Sequence, residues 1–102
     1  MAVAIINLIV VLVSSGVITE AIKLIEMIVK IIDKQSVSDA MVRTLTSLQD
    51  YDHVIELSQF MEGAIGFFEP AQQTQLATAF LTTLNQSVPV KAAMSTSKTM
   101  KG

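Results

Sequence analysis

Residues 17–34 read VITEAIKLIEMIVKIIDK. Glu20, Lys23, Glu26, Lys30, Asp33 and Lys34 recur every three or four positions, the repeat of one face of an α-helix. Glu20 with Lys23, and Glu26 with Lys30, have the spacing and order of helical ion pairs, each contributing roughly 0.2–0.5 kcal/mol. The aliphatic positions between them, from Ile18 to Ile32, cover well over half of the helix circumference, whereas a surface helix needs an apolar stripe only about 100° wide. Such a helix must meet neighbours on two sides, or meet lipid, and is predicted to be the central element.

On the N-terminal side, residues 1–18 contain no charge, and only Asn7, Ser14 and Ser15 carry polar side chains. Two readings fit this segment. One is a centrally buried helix, with enough Val and Ile to allow a short buried strand over residues 5–13. The other is a membrane-inserted segment, because a window of about 19 residues passes a transmembrane hydropathy threshold. The unbroken apolar run 8–13 is short, and Ser14-Ser15-Gly16 has the composition of a helix end. No Lys or Arg precedes the run, which is unlike a secretory signal and leaves a cytoplasmic or membrane-associated location open.

On the C-terminal side, Gln35 breaks the pattern and Ser36-Val37-Ser38-Asp39 reads as a capping box. The next helix is predicted to run to about residue 49, with Val37, Ala40, Met41, Leu45 and Leu48 on its apolar face. Asp50-Tyr51-Asp52 supplies a turn and the N-cap of a third helix, which buries Val54, Leu57, Met61, Ala64, Ile65 and Phe68. Gly63 and Gly66 within it either permit a close helix contact or mark its fraying end. Pro70 suits the first turn of a fourth helix, where Leu76, Phe80 and Leu84 repeat every four residues beside Ala77 and Leu81. Its other face is Gln, Thr and Asn without charge. Pro89 ends the regular pattern. The expected fold is therefore all-α: a small irregular bundle of four to five helices, antiparallel neighbours joined by short turns. A single helical domain spans residues 1–88, and residues 89–102 read as a flexible Lys/Ser/Thr tail.

The chain has 102 residues, 51% of them hydrophobic and only 16% charged, against roughly 25% in ordinary soluble domains. A surface so short of charge points to a subunit covered by something else. Absence of cysteine excludes disulfides, thiolate metal sites and cysteine nucleophiles. The net charge of −2 hides an asymmetry: residues 1–69 hold four basic against nine acidic side chains, and from Pro70 onward only Lys91, Lys98 and Lys101 are charged. An acidic body argues against nucleic acid as a partner. The three lysines suit phosphate or anionic lipid, although a solubilising tail is the simpler reading.

Chemistry has few places to sit. A metal site would rest on His53, the only histidine, with Asp52 and Glu56 within one turn and Asp50 and Glu62 near, but bundle metal sites use such motifs on facing helices. The simpler role for Asp50, Asp52 and Glu56 is to meet the positive end of the third helix. Neither paired carboxylates in an apolar pocket, nor a nucleophile elbow, nor a phosphate-binding loop is evident. No catalytic, cofactor-binding or metal-ligating residue is assigned, and no cofactor is expected.

Residues 15–57 resemble, in aliphatic spacing, the small helical domain of unknown function encoded beside formate dehydrogenases and heterodisulfide-reductase-like complexes. Ser15-Gly16-Val17-Ile18 opens an aliphatic helix with Ala21, Ile22, Leu24 and Ile25, and Val42, Leu45 and Leu48 mark the second amphipathic one. The resemblance implies an accessory subunit that docks a redox enzyme and helps connect it to the membrane. The residues themselves lead to the same class. The expected role is a non-catalytic structural or accessory subunit that meets partner subunits, copies of itself or lipid through residues 1–32. Ile5, Ile9, Leu12, Ile18, Ile22, Ile25, Val29 and Ile32 are the contact candidates, since an exposed patch of that size is otherwise an aggregation liability. The alternative is a self-assembling membrane-active or coat protein: a capsid, a pore or a holin-like chain.

Overall fold

The computed structural model describes residues 2–49 and 51–86. The expected tail over 89–102, and Asp50 in the expected turn, lie outside the described residues. Five α-helices follow one another: α1 (Ala2–Ser14), α2 (Ile18–Ile31), α3 (Lys34–Ser47), α4 (Val54–Ala64) and α5 (Pro70–Gln86), with a 3-10 turn (Ile65–Phe67) after α4. The described residues form no strand, so the apolar N-terminus is helical and not the short strand that its Val and Ile content allowed.

Each helix end has a local cause. Gly16 adopts φ of 82°, the left-handed conformation that only glycine takes without strain, and ends α1. Val17 N–H donates to the Leu12 carbonyl at 2.9 Å and Gly16 N–H to that of Val13 at 3.0 Å, the two bonds of a Schellman motif. The turn into α3 differs from the capping box expected at Ser36. The cap is Asp33, whose carboxylate accepts from the Ser36 N–H at 2.9 Å and the Ser36 hydroxyl at 2.8 Å. Extended backbone at Ile32 swings Asp33 into that position, so α3 begins at Lys34. These bonds hold the Asp33 carboxyl below its ordinary value of 3.8, the Ser36 side chain contributing most. Before α4 the N-cap is His53, without a side-chain bond to the backbone, and not the aspartates on either side of Tyr51. Pro70 opens α5 as expected, and Gln72 reaches back to accept from the Glu69 N–H at 3.0 Å.

The most extensive packing joins α3 to α5, two helices that are not consecutive. Their cross-contacts climb together along both chains. Lys34 meets Glu69 at 3.1 Å, Gln72 donates to Gln35 at 2.9 Å, and Ser38 and Gln75 share a bond of 2.8 Å. Gln75 also donates to Asp39 at 2.8 Å, and the Thr83 hydroxyl donates to the Leu45 carbonyl at 2.8 Å. The two helices therefore run parallel. Ala2 and Val3 of α1 share a shallow cleft with Ser36, Asp39 and Ala40, while Ser14 at the other end meets Tyr51 beyond the end of α3. Thus α1 points the same way. The result is a row of three parallel helices, α1–α3–α5, with α2 and α4 returning the chain and packing on each other and on α1.

The core is one cluster with Ile6, Ile9, Val13, Ile25, Val37, Leu57, Phe60 and Leu76 among its members. Residues 17–34 meet α1 on one side and α4 on the other, as their wide apolar circumference demands, but α2 is not the central helix. It buries only Ala21, Ile25 and Ile28 completely, whereas α3 buries six residues, Ser38 and Thr44 included. Of the expected buried faces, Val37, Ala40, Met41 and Leu45 of α3 and Leu57, Met61, Ala64 and Phe68 of α4 and the turn after it are buried, Phe60 joins them, and Leu48, Val54 and Ile65 are half-buried. On α5, Ala79 and Thr83 are buried, while Ala77 and Leu81 turn outward. The two candidate glycines divide their roles. A Cβ on Gly63 would overlap the end of Ile22, so its absence brings α4 close to α2, whereas Gly66 lies in open space in the 3-10 turn.

Two buried threonines give opposite expectations for the same isosteric change. The Thr83 hydroxyl, fully buried, bonds to the Leu45 and Ala79 carbonyls, whereas the buried Thr44 hydroxyl has no partner among the described residues. Thr83→Val is expected to cost about 1 kcal/mol, and Thr44→Val to be neutral or stabilising by a similar amount, because an unpaired buried hydroxyl is a net loss. Chemical denaturation of both variants measures the two signs.

Candidate functional site

The eight residues expected to contact a partner do not share one free surface. Ile9 and Ile25 lie in this chain's own core at 1% and 0% exposure, and Ile5, Leu12, Ile18, Ile22, Val29 and Ile32 are half-buried against it. The exposed large apolar side chains are others: Leu8 and Val11 on α1, Met27 and Ile31 on α2, Ile55 on α4, Leu81 on α5, and Val17. In an all-aliphatic helix the apolar residues alone do not reveal which side faces in. Asn7 and Ser15 do reveal it, because the outward stripe of α1 runs Ala4, Asn7, Leu8, Val11, Ser15.

Among the described residues, α1 and α5 are the two α-helices that contain no charged side chain. Since α3 separates them, they form the two edges of the row. The outward face of α5 holds Ala71, Thr74, Ala77, Thr78 and Leu81. Thr74 and Thr78 donate their hydroxyls to the carbonyls of Pro70 and Thr74, four residues back. A face that reads as polar in sequence therefore offers methyl groups and few free donors. Between α4 and α5 lies an open groove of about 260 Å³, lined by Ser58, Met61, Glu62, Ile65, Ala77 and Phe80.

α1 holds 13 residues, about 20 Å at 1.5 Å per residue, against a hydrocarbon core about 30 Å thick. Among the described residues no helix is long and apolar enough to cross a membrane.

The residues about His53 come together with a different outcome. Asp52 Oδ1 lies 3.2 Å from Nε2 and Glu56 Oε2 lies 3.1 Å from Nδ1, so the two carboxylates occupy opposite sides of the ring. They do not converge on one point. Among the described residues no group of three or more His, Cys, Asp or Glu is placed to hold a metal ion. The His53 bond is the main cause that lowers the Glu56 carboxyl below its ordinary value. Tyr51 stands edge-on to the imidazole, with ring centroids 5.8 Å apart, and its hydroxyl meets Ser14 Oγ at 2.8 Å. The cluster ties the end of α1 to the start of α4.

Compared with known protein families, curated proteins and solved structures, the chain matches none.

Tyr51 is the single tyrosine and the chain has no tryptophan, so it reports alone on this junction. Burial raises its phenol above the ordinary value of 10.0, and the Ser14 bond opposes that rise. An acid whose folded value is raised stays neutral while the unfolded chain ionises, so stability is expected to fall as pH rises above about 10. Ultraviolet titration of the phenolate band is expected to show ionisation above the ordinary range, and higher still in Ser14→Ala.

Proposed function

We propose that this protein is a non-catalytic structural or accessory subunit that works by docking other protein through its uncharged outer helix faces. The observation that carries this reading is the pair of charge-free edges, α1 and α5, in a body whose other helices all bear charge. Leu8, Val11 and Leu81 are more than half exposed there, large apolar side chains with no charged residue on the same helix. The resemblance of residues 15–57 to accessory proteins of formate dehydrogenases and heterodisulfide-reductase-like complexes makes a redox enzyme the first partner class to seek. A second reading, a self-assembling coat, pore or holin-like protein, is favoured by the position of the two edges on opposite sides of the row, where contacts propagate from copy to copy.

Purification of the tagged chain from its native cell in mild detergent, with the co-purifying chains identified by mass spectrometry, is the test. Other subunits in fixed ratio are expected for the accessory role, and Leu8→Asp or Leu81→Asp is expected to release them. Recovery of this chain alone in large assemblies supports the self-assembling role, and recovery of this chain alone as a monomer sinks both.

A further inference from the structure

Ser14, Tyr51, Asp52, His53 and Glu56 meet where the end of α1 reaches the first turn of α4. His53 is the only histidine, and residues 44–90 contain no Lys or Arg. Its imidazole is therefore the one side chain of that stretch able to carry positive charge.

Counting donors decides which form of the ring suits its place. A neutral imidazole has one N–H and one lone pair, whereas an imidazolium has two N–H groups. Nδ1 is hydrogen-bonded to Glu56 Oε2 at 3.1 Å, and Nε2 stands 3.2 Å from Asp52 Oδ1, at ion-pair distance. Carboxyl groups are ionised throughout the range in which a histidine titrates. In either neutral tautomer one ring nitrogen thus turns its lone pair toward a carboxylate oxygen, which is repulsive. The imidazolium donates toward both, and bonds between charged partners are the stronger kind.

The elements packed on α4 bring little competing charge to this junction. α1 and the 3-10 turn carry no charged side chain. α2 brings Glu20 and Lys23 in its first two turns, which pair with each other at 3.8 Å, while Glu26 and Lys30 lie further along it. Tyr51 stays neutral, because burial raises its phenol. Asp50 lies outside the described residues. The positive end of α4 opposes a cation at its cap, but it amounts to about half a charge against two carboxylates. What happens at the ring is passed on: Tyr51 stands edge-on to it and bonds Ser14, the last residue of α1.

We infer that His53 is a proton-operated latch: its imidazolium, held between Asp52 and Glu56, locks Tyr51 and the end of α1 onto α4, and loss of the proton loosens that junction. The stability gained is present on the acidic side of the histidine range and is lost as pH rises through it. The latch is built from this chain's own residues and acts whether or not a partner covers α1.

Urea unfolding at about pH 6 and about pH 8 tests this. The folding equilibrium constant of wild type is expected to fall about two- to fivefold between them, the size of an exposed ion-pair contribution. His53→Gln is expected to show no such fall, and comparison with it removes the contribution of the α-amino group, which titrates in the same range. The double variant Asp52→Asn, Glu56→Gln keeps the histidine without its acceptors and is likewise expected to be flat. It replaces His53→Gln if that variant fails to fold. Near-ultraviolet circular dichroism of Tyr51 is expected to change across the same range in wild type alone, which places the change at the junction. A wild type equally stable at both pH values overturns the inference, as does a His53→Gln chain that loses stability in step with wild type. A fall that persists in the double variant overturns it too, because the proton is then not held by these carboxylates.

Discussion

The parallel pairing of α3 with α5 sets the plan of this protein. Two parallel helices cannot be joined by a tight turn, so the chain between them must travel back along their length. The segment that returns is α4 with the 3-10 turn, ending at Phe68, which is buried. The register of the pairing is set by buried polar groups. Ser38 and Thr83 are fully buried, and each finds its partner on the other helix, at Gln75 and at the Leu45 carbonyl. A slip by one turn would separate Ser38 from Gln75 and Thr83 from the Leu45 carbonyl; Ser38 would then lose its one cross-helix partner, at about 1–3 kcal/mol, while Thr83 would keep its bond to the Ala79 carbonyl of its own helix. At the open end Gln35, Asp39, Gln72 and Gln75 repeat the same register in a chain of amide bonds. Asp39 accepts from Gln75 and Gln35 and is held ionised below its ordinary range by them, Gln75 first. Apolar burial holds α3 against α5, and these bonds decide where.

From that pairing the rest of the arrangement follows. With α5 on one side of α3, the very apolar α1 takes the other, and its inward stripe of Ile6, Ile9 and Val13 meets α2, α3 and α4 at once. In this 13-residue helix, ended by Gly16, the three neighbours bury Ile6, Ile9 and Val13. Its fourth side is what remains. The same holds for α5, which has one principal neighbour and hence a broad free face.

Much of this was legible in sequence where a polar residue marked the phase of a helix. The buried faces of α3 and α4 followed from Val37, Met41, Leu45, Leu57 and Met61 because charges lie between them. Pro70 and the Ser14-Ser15-Gly16 stop were equally plain. Legibility failed where apolar residues were mistaken for the inner face by their size. On α5, Leu81 looked like a core residue and Thr83 like a surface one, yet Thr83 is buried because its hydroxyl is satisfied by backbone on both sides. On α1, Ile9 and Leu8 are alike to any hydropathy scale and lie on opposite sides of the helix. The turn at Asp33 was missed for a different reason: it reads as the last acidic position of the α2 repeat, and only the extended backbone at Ile32 turns it into a cap. The parallel course of α3 and α5 had no local signature, since register between distant helices is a property of pairs such as Ser38 with Gln75.

The distribution of charge then acquires a physical reason. α2 carries Glu20, Lys23, Glu26 and Lys30 on its outer face, and α4 carries Glu56 and Glu62, so one side of the molecule is kept solvated by ions. The edges of the three-helix row are not. On α5 even the hydroxyls are turned back onto the helix's own carbonyls, which leaves their methyl groups to define the surface. A protein that was charge-poor on every side would aggregate without direction. Here two whole helix faces without charge lie at opposite edges, with α3 between them, although Met27 and Ile31 on α2 and Ile55 on α4 are exposed among charged residues. On this view the polar clasp of α3 and α5 has two consequences: it sets the fold, and it holds the two edges at a fixed spacing for whatever covers them.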